Sequence, residues 1–286
     1  MSAGTLQLFS LRTKLLLFAA VLVLVPGGIY GWITVSQSRA ALAHVVGRQL
    51  VAEARNVADR LATTLRSEQA RFESFALQDV MREIRIGDLD KRIASFLSSA
   101  KRGCGACLDL AVLDGEDRVV ASSNPVWIGS VGEPSIFGAG QERRIEGPMT
   151  PAREKPPVLR FTAPVADPDA PGSSLGRLVA LLDWERATDV ISRARENLLS
   201  VGLDADVLIV DETGGVIGAA VGADGPWQTG DAIGRLPIGG VAVSPAGRID
   251  SAAGMLLGEA RLPEDLPPWR VVAAQPFGEA FAAVDR

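Results

Sequence analysis

"DLAVLDGEDRVVAS", residues 109–122, aligns without a gap to "DVLIVDETGGVIGA", residues 206–219, at an offset of 97 residues. Each is an apolar strand, a polar turn around Gly115 or Gly214, and a second strand, which together read as a hairpin. The same offset pairs "VLRFTAPV" (158–165) with "MLLGEARL" (255–262). Further on, "GRLVALLDWERATDVI" from Gly176 and "PWRVVAAQPFGEAFAAV" from Pro268 each read as a strand leading into a short helix. They are four residues out of step because the first copy has the longer hairpin "ADPDAPGSSLG". A repeat of this length predicts two copies of a small antiparallel-sheet domain, each of about a hundred residues.

Upstream, the period changes. Leu42, Val46, Leu50, Ala54, Val57, Leu61, Leu65, Phe72 and Phe75 recur at helical spacing, with Arg55, Asp59, Arg66 and Glu73 between them. No Gly or Pro occurs from Arg48 to Ile86, which allows a helix of about forty residues, roughly 60 Å long. It suits either a coiled-coil stalk or a spine for the sheets. A shorter helix is expected after a cap at Asp88, with Leu89, Ile93, Phe96 and Leu97 on one face, ending near Ala100.

Further upstream still, Leu15 to Ile33 is nineteen residues without a charge, long enough to cross a bilayer. Pro26, Gly27 and Gly28 are tolerable in a spanning helix, and Tyr30 and Trp32 stand where interfacial aromatics anchor one. A cleaved signal peptide would have to use "ALA" at 41–43, too far downstream of the apolar core. Arg12 and Lys14 on one side face Arg39, Arg48 and Arg55 on the other, so charge counting leaves the orientation open.

Composition excludes several functions. The chain has 286 residues, 47% apolar and 22% charged, with a net charge of −5. After the anchor it is globular, with room for two domains. An acidic chain without basic patches interleaved with aromatics is no nucleic-acid binder. The one histidine, His44, lies on the helix beside the anchor, and no G-x-S-x-G or phosphate loop is present, so no catalytic constellation is expected. "KRGCGACLDL" (101–110) holds both cysteines, Cys104 and Cys107. Zinc needs about four ligands, which this chain cannot supply there, and Leu108 stands where haem attachment needs histidine. A redox pair and a local cross-link remain.

The order of these elements, with the terminal "WRVVAAQPFGEAFAAV", resembles the double Cache sensors, extracytoplasmic ligand-binding regions of bacterial chemoreceptors and sensor kinases. The resemblance implies an α+β fold: a transmembrane helix (15–35) after a cytoplasmic N-terminus (1–14), a long plus a short helix (36–103), a membrane-distal PAS-like domain (104–197) and a membrane-proximal one (198–286). It implies an inner-membrane protein that is periplasmic or extracellular after about residue 35. A homodimer through the long helix, and an output module beyond residue 286, are also implied. In that oxidising compartment, Cys104 and Cys107 are expected to form a disulfide that fixes the turn from helix into strand.

The resemblance further implies a small-molecule ligand in the distal copy. There Trp127 follows Ser123 and Asn124 on a loop, Arg143 and Arg144 reach a third strand, Arg160 interrupts an apolar run, and Asp183 ends another. Trp127, Arg143, Arg160 and Asp183 are the expected ligand contacts, since a few polar groups in an apolar cavity mark such sites and arginine grips a carboxylate. Each has a structural counter-reading: loop packing for Trp127, cross-strand pairing for the arginines, helix capping for Asp183. Trp184 and Trp269 read as core. The second copy offers Trp227, Asp231 and Arg235 among glycines and alanines. The Trp-Tyr pair of the family's amino-acid pattern is absent, because the sole tyrosine is Tyr30. An organic anion is therefore the expected ligand, with no cofactor and no metal. The competing reading is a membrane-anchored adaptor without a ligand.

Overall fold

The computed structural model describes residues 11–131, 134–138, 142, 144–149, 157–222, 227–229, 248–250 and 255–276. Helix α1 runs from Leu11 to Ala76 as one element of 66 residues. The segments expected at 15–35 and from 36 onward are thus stretches of one continuous helix, with Pro26 inside it. Residues Ala20–Ser38 are long and apolar enough to cross a membrane, and among the described residues nothing buries that window.

Beyond the anchor, α1 buries Val46, Leu50, Ala54, Val57, Ala58, Leu61, Leu65, Phe72 and Ala76. Arg48, Arg55, Asp59, Arg66 and Arg71 lie exposed on the opposite side. The apolar stripe faces the sheets, so the helix is a spine, and the stripe is not available as a coiled-coil seam for a second copy.

The helix stops at Ala76, short of Ile86. A 3-10 helix, Asp79–Ile86, follows and ends at Gly87 with φ 73°. Its buried residues, Met81 and Ile84, are three apart, a spacing that the threefold 3-10 geometry places on one side. Helix α2 spans Arg92–Gly103. The Asp88 carboxylate accepts from the Ile93 and Ala94 amides at 2.9 and 3.0 Å, the capping role its position suggested. Ile93 and Leu97 are buried, whereas Leu89 is 77% exposed and stands off that face.

The first sheet comprises β1 (Cys107–Asp114), β2 (Val119–Ser122), β3 (Arg144–Met149), β4 (Val158–Ala166) and β5 (Ser174–Asp183). The second comprises β6 (Asp206–Val210), β7 (Val216–Ala220), β8 (Arg248–Asp250), β9 (Met255–Arg261) and β10 (Arg270–Pro276). Their orders are β2-β1-β5-β4-β3 and β7-β6-β10-β9-β8, all pairs antiparallel, so the topologies are identical.

Equivalence reaches single residues. The register shifts between Val112 and Leu113 in one hairpin and between Ile209 and Val210 in the other. Asp114 Oδ1 accepts from the amides of Glu116 and Arg118, as Asp211 Oδ1 does from Thr213 and Gly215. At Asp211 burial favours protonation, but these donated hydrogen bonds outweigh it and hold the carboxyl below its ordinary value. Helix α3 (Pro134–Phe137) follows β2 within the first sheet's segment, and α4 (Trp184–Ala187) and α5 (Asp189–Ser200) connect the first sheet to the second. The helix expected after β10 lies outside the described residues.

Position along α1 ranks the sheets by distance from the anchor. Gly258 of β9 meets the backbone of Leu50 and Val51, whereas its counterpart Phe161 of β4 packs on Phe72 with ring centroids 5.3 Å apart. Those contacts are about twenty residues apart on α1, roughly 30 Å, so the second sheet is nearer the apolar segment. Further contacts join the sheets and the helix: Trp184 packs edge-on against Trp269 at 5.2 Å, Trp184 Nε1 donates to the Ile217 carbonyl, and Arg66 grips Asp265 through two hydrogen bonds of 2.7 and 2.8 Å.

Candidate functional site: the loop-covered face of the first sheet

A strand points alternate residues to opposite faces, and the first sheet divides accordingly. Leu110, Val112, Leu159, Phe161, Leu178, Ala180 and Leu182 belong to the core shared with α1. Ala111, Leu113, Val158, Val179 and Leu181 belong to a second cluster with Ile136 and Phe137 of α3, packed by Trp127 and Met149. This second face is covered by loops rather than by the spine, and its polar residues are candidates for contact with a solute.

One row across that face carries opposite charges. Asp109 pairs with Leu181, Leu181 with Arg160, and Arg160 with Glu146, across β1, β5, β4 and β3. Neighbouring strands are about 4.8 Å apart, so Asp109 and Arg160 stand roughly 10 Å apart with Leu181 between them. Asp109 accepts from Lys101 Nζ at 3.0 Å, Ser123 Oγ at 3.1 Å, Asn124 Nδ2 at 3.4 Å and Trp127 Nε1 at 3.4 Å. Arg160 is 6% exposed. Its Nε donates to Glu146 at 2.9 Å and its Nη1 to the Ile136 carbonyl at 3.1 Å. Its guanidinium also packs on Gly138, where a β-carbon would lie 2.8 Å from Cζ.

The expected contacts fare differently. Trp127 ends a 3-10 turn, Pro125–Trp127, and meets Phe137 edge-on at 5.4 Å. Trp127 and Arg160 thus converge on α3. Asp183 follows Leu181 on the same face, but its Oδ1 accepts from the Glu185 amide at 3.0 Å as the cap of α4. Arg143 lies outside the described residues, as do Asp231 and Arg235. Its neighbour Arg144 is exposed beside Glu142 and Glu146 at 3.3 and 3.7 Å.

Two residues of this face escaped notice in the sequence. Arg177 is fully buried, donating to Asp117 and, at 2.9 Å, to the Gly138 carbonyl. Its signal was a lone arginine in "LGRLVALLD". Asp109 was visible as the polar residue opening the repeat, but its donors come from a loop and from α2. Nearby, Cys104 and Cys107 are bonded to each other, with Cα atoms 5.4 Å apart. The loop between them is held by the Asp183 amide donating to the Ala106 carbonyl at 2.9 Å and by Arg186 donating to the Gly105 carbonyl.

No protein-family model and no curated protein matches the chain. Solved structures do. The ligand-binding domain of the Pseudomonas fluorescens chemoreceptor CtaA, with L-isoleucine, is 14% identical at a TM-score of 0.59, covering 86% of this chain and 98% of that one. The corresponding domain of the Pseudomonas aeruginosa amino acid chemoreceptor PctC, with GABA, is 13% identical at 0.51, covering 77% and 94%. An extracellular ligand-binding receptor from Desulfohalobium retbaense is 13% identical at 0.50; the match covers 77% of this chain and 39% of the receptor. The tandem sheets on one long helix are therefore a fold shared with the ligand-binding domains of the chemoreceptors CtaA and PctC.

Proposed function

We propose that this chain is the small-molecule sensing region of a membrane receptor, and that its ligand is a small carboxylate-bearing solute of amino-acid size held over the loop-covered face of the first sheet. The observation that carries this reading is the row Asp109, Leu181, Arg160 beneath Trp127 and Phe137. An acid and a guanidinium about 10 Å apart over an apolar floor suit a ligand with a carboxylate at one end and a donor or ammonium at the other. Glu146 and Lys101, both partly exposed, are the side chains such groups would displace. Solved neighbours of this fold hold L-isoleucine and GABA.

The region, with a distal domain at 104–197 and a proximal one at 198–286, is non-catalytic and sits outside the cytoplasmic membrane. It passes the signal through α1, and two copies meet through the polar side of that helix. Binding shifts α1 only in so far as the ligand's affinity differs between two arrangements of the helix. The full chain is to be screened by thermal shift and calorimetry against the L-amino acids and short carboxylates. A hit should raise the melting temperature, and Arg160→Lys and Asp109→Asn should each weaken it about tenfold or more. Absence of any hit, with a folded protein, would leave the adaptor reading in its place.

A further inference from the structure

Both sheets carry an arginine at the same place and surround it differently. Leu113 faces Arg177 across β1 and β5, and Val210, 97 residues on from Leu113, faces Arg270 across β6 and β10. Both are buried, Arg177 at 0% and Arg270 at 6% exposed. Arg177 is closed off by the Asp117 carboxylate at Nη1. The counterpart of Asp117, again 97 residues on, is Gly214, and both have positive φ, 61° and 91°, at the same position of the same turn. The second repeat has kept the guanidinium and lacks the carboxylate.

Among the described residues Arg270 has only long contacts, to Glu259 Oε1 at 3.4 Å and to the Asp211 carbonyl at 3.3 Å. A charge-assisted bond is normally 2.7–2.9 Å, so the Glu259 ion pair is a long one and leaves the guanidinium open to a closer carboxylate. Beside it opens a cavity of about 620 Å³, lined by Arg270 and by Glu212 of that turn, with Leu262, Leu266 and Trp269 among its apolar walls, and with Glu264 contributing a second carboxylate and Arg261 a second cation. This volume is typical of a small-molecule site.

We propose that this cavity is a second ligand site, separate from the first sheet, which takes a monocarboxylate with an apolar body. The ligand carboxylate pairs with Arg270 as the Asp117 carboxylate pairs with Arg177, and the body lies against Leu262, Leu266 and Trp269. Arg261, the other cation of the lining, is 74% exposed and faces Glu259 at 4.0 Å, so Glu212 and Glu264 repel a second negative charge and select against dicarboxylates. The hairpin lining the cavity bears Asp265, which grips α1 through Arg66, and Trp269, which packs on Trp184. Occupancy is thereby placed beside both the helix and the first sheet.

The test uses the full chain in nanodiscs, with calorimetry of isovalerate, its neutral amide isovaleramide, and succinate, each corrected for empty nanodiscs. Isovalerate should bind saturably, isovaleramide not at all, and succinate at least tenfold more weakly. Gly214→Asp supplies the missing carboxylate, at a positive φ that Asp tolerates better than most residues. It should weaken isovalerate at least tenfold without lowering the melting temperature. Glu212→Gln, at an exposed position, should strengthen succinate severalfold whether or not the first variant folds. Arg160→Lys in the first sheet should leave isovalerate binding unchanged, which separates this site from the one proposed above. No saturable isovalerate binding, undiminished binding in a folded Gly214→Asp protein, unaltered succinate binding in Glu212→Gln, or loss in Arg160→Lys would each overturn the proposal.

Discussion

At the scale of single residues, several polar groups matter through burial rather than through charge alone. Asp206, the counterpart of Asp109, is buried, and desolvation pushes its carboxyl above the ordinary value of 3.8, against the opposing pull of the Gly222 amide and of Arg195. A raised folded-state pKa means that the native protein binds the extra proton more tightly than the unfolded chain. Its stabilising contribution is complete below about pH 4 and is lost as pH rises through the folded value. Asp206→Asn keeps the acceptor for Gly222 and removes the charge, so it should melt higher than wild type near pH 7 and at the same temperature near pH 3, as followed by circular dichroism. For the cysteines, protein purified from membranes without reductant should show no thiol reactive to labelling after denaturation. The double Cys→Ser variant should lose about 2 kcal/mol or less, since the closed loop is short. A change in ligand response on reduction would add a redox role to that local one.

At the scale of elements, the two sheets meet the spine in opposite ways at one equivalent position. β9 crosses α1 backbone to backbone, and a β-carbon at Gly258 would lie 2.3 Å from the Leu50 carbonyl carbon and 2.4 Å from the Val51 nitrogen. No rotamer relieves such a clash, because both atoms belong to the helix backbone. Gly258→Ala should therefore cost about 1–3 kcal/mol through displaced elements, readable as a melting temperature lower by several degrees. At Phe161 the gap is filled by side chains, and Phe161→Ala should cost about 3–5 kcal/mol through a cavity. Equal, negligible effects of both substitutions would mean that the helix does not bear on the sheets in this way. Helix α5, which connects the two sheets, spans the proposed boundary at 197/198, and its Ile191 packs near Gly218 of β7.

At the scale of the whole molecule, one helix runs from a segment long and apolar enough to span a membrane past both sheets, and on the proposed reading a ligand at either sheet acts on that same rod. With cysteines placed on the exposed side of α1, at positions 52, 55 and 59, ligand addition should change the rate of disulfide cross-linking between copies by several-fold. Cross-linking that never responds to a bound ligand would remove α1 from the signal path.

Sequence by itself determined the repeat, the α+β class, the apolar N-terminal segment and the amphipathic helix after it, because strand alternation, turn chemistry and helical spacing are local and periodic. The 97-residue offset also contains the equivalence of Asp117 with Gly214, but only the buried arginines beside them give it meaning. Tertiary structure decided which side of the stripe was covered, that the anchor and the spine are a single helix, that Asp183 caps α4, and that Asp109 and Arg160 share a row. Such facts depend on register between strands far apart in the chain, and a shift of one residue would turn each of those side chains to the other face.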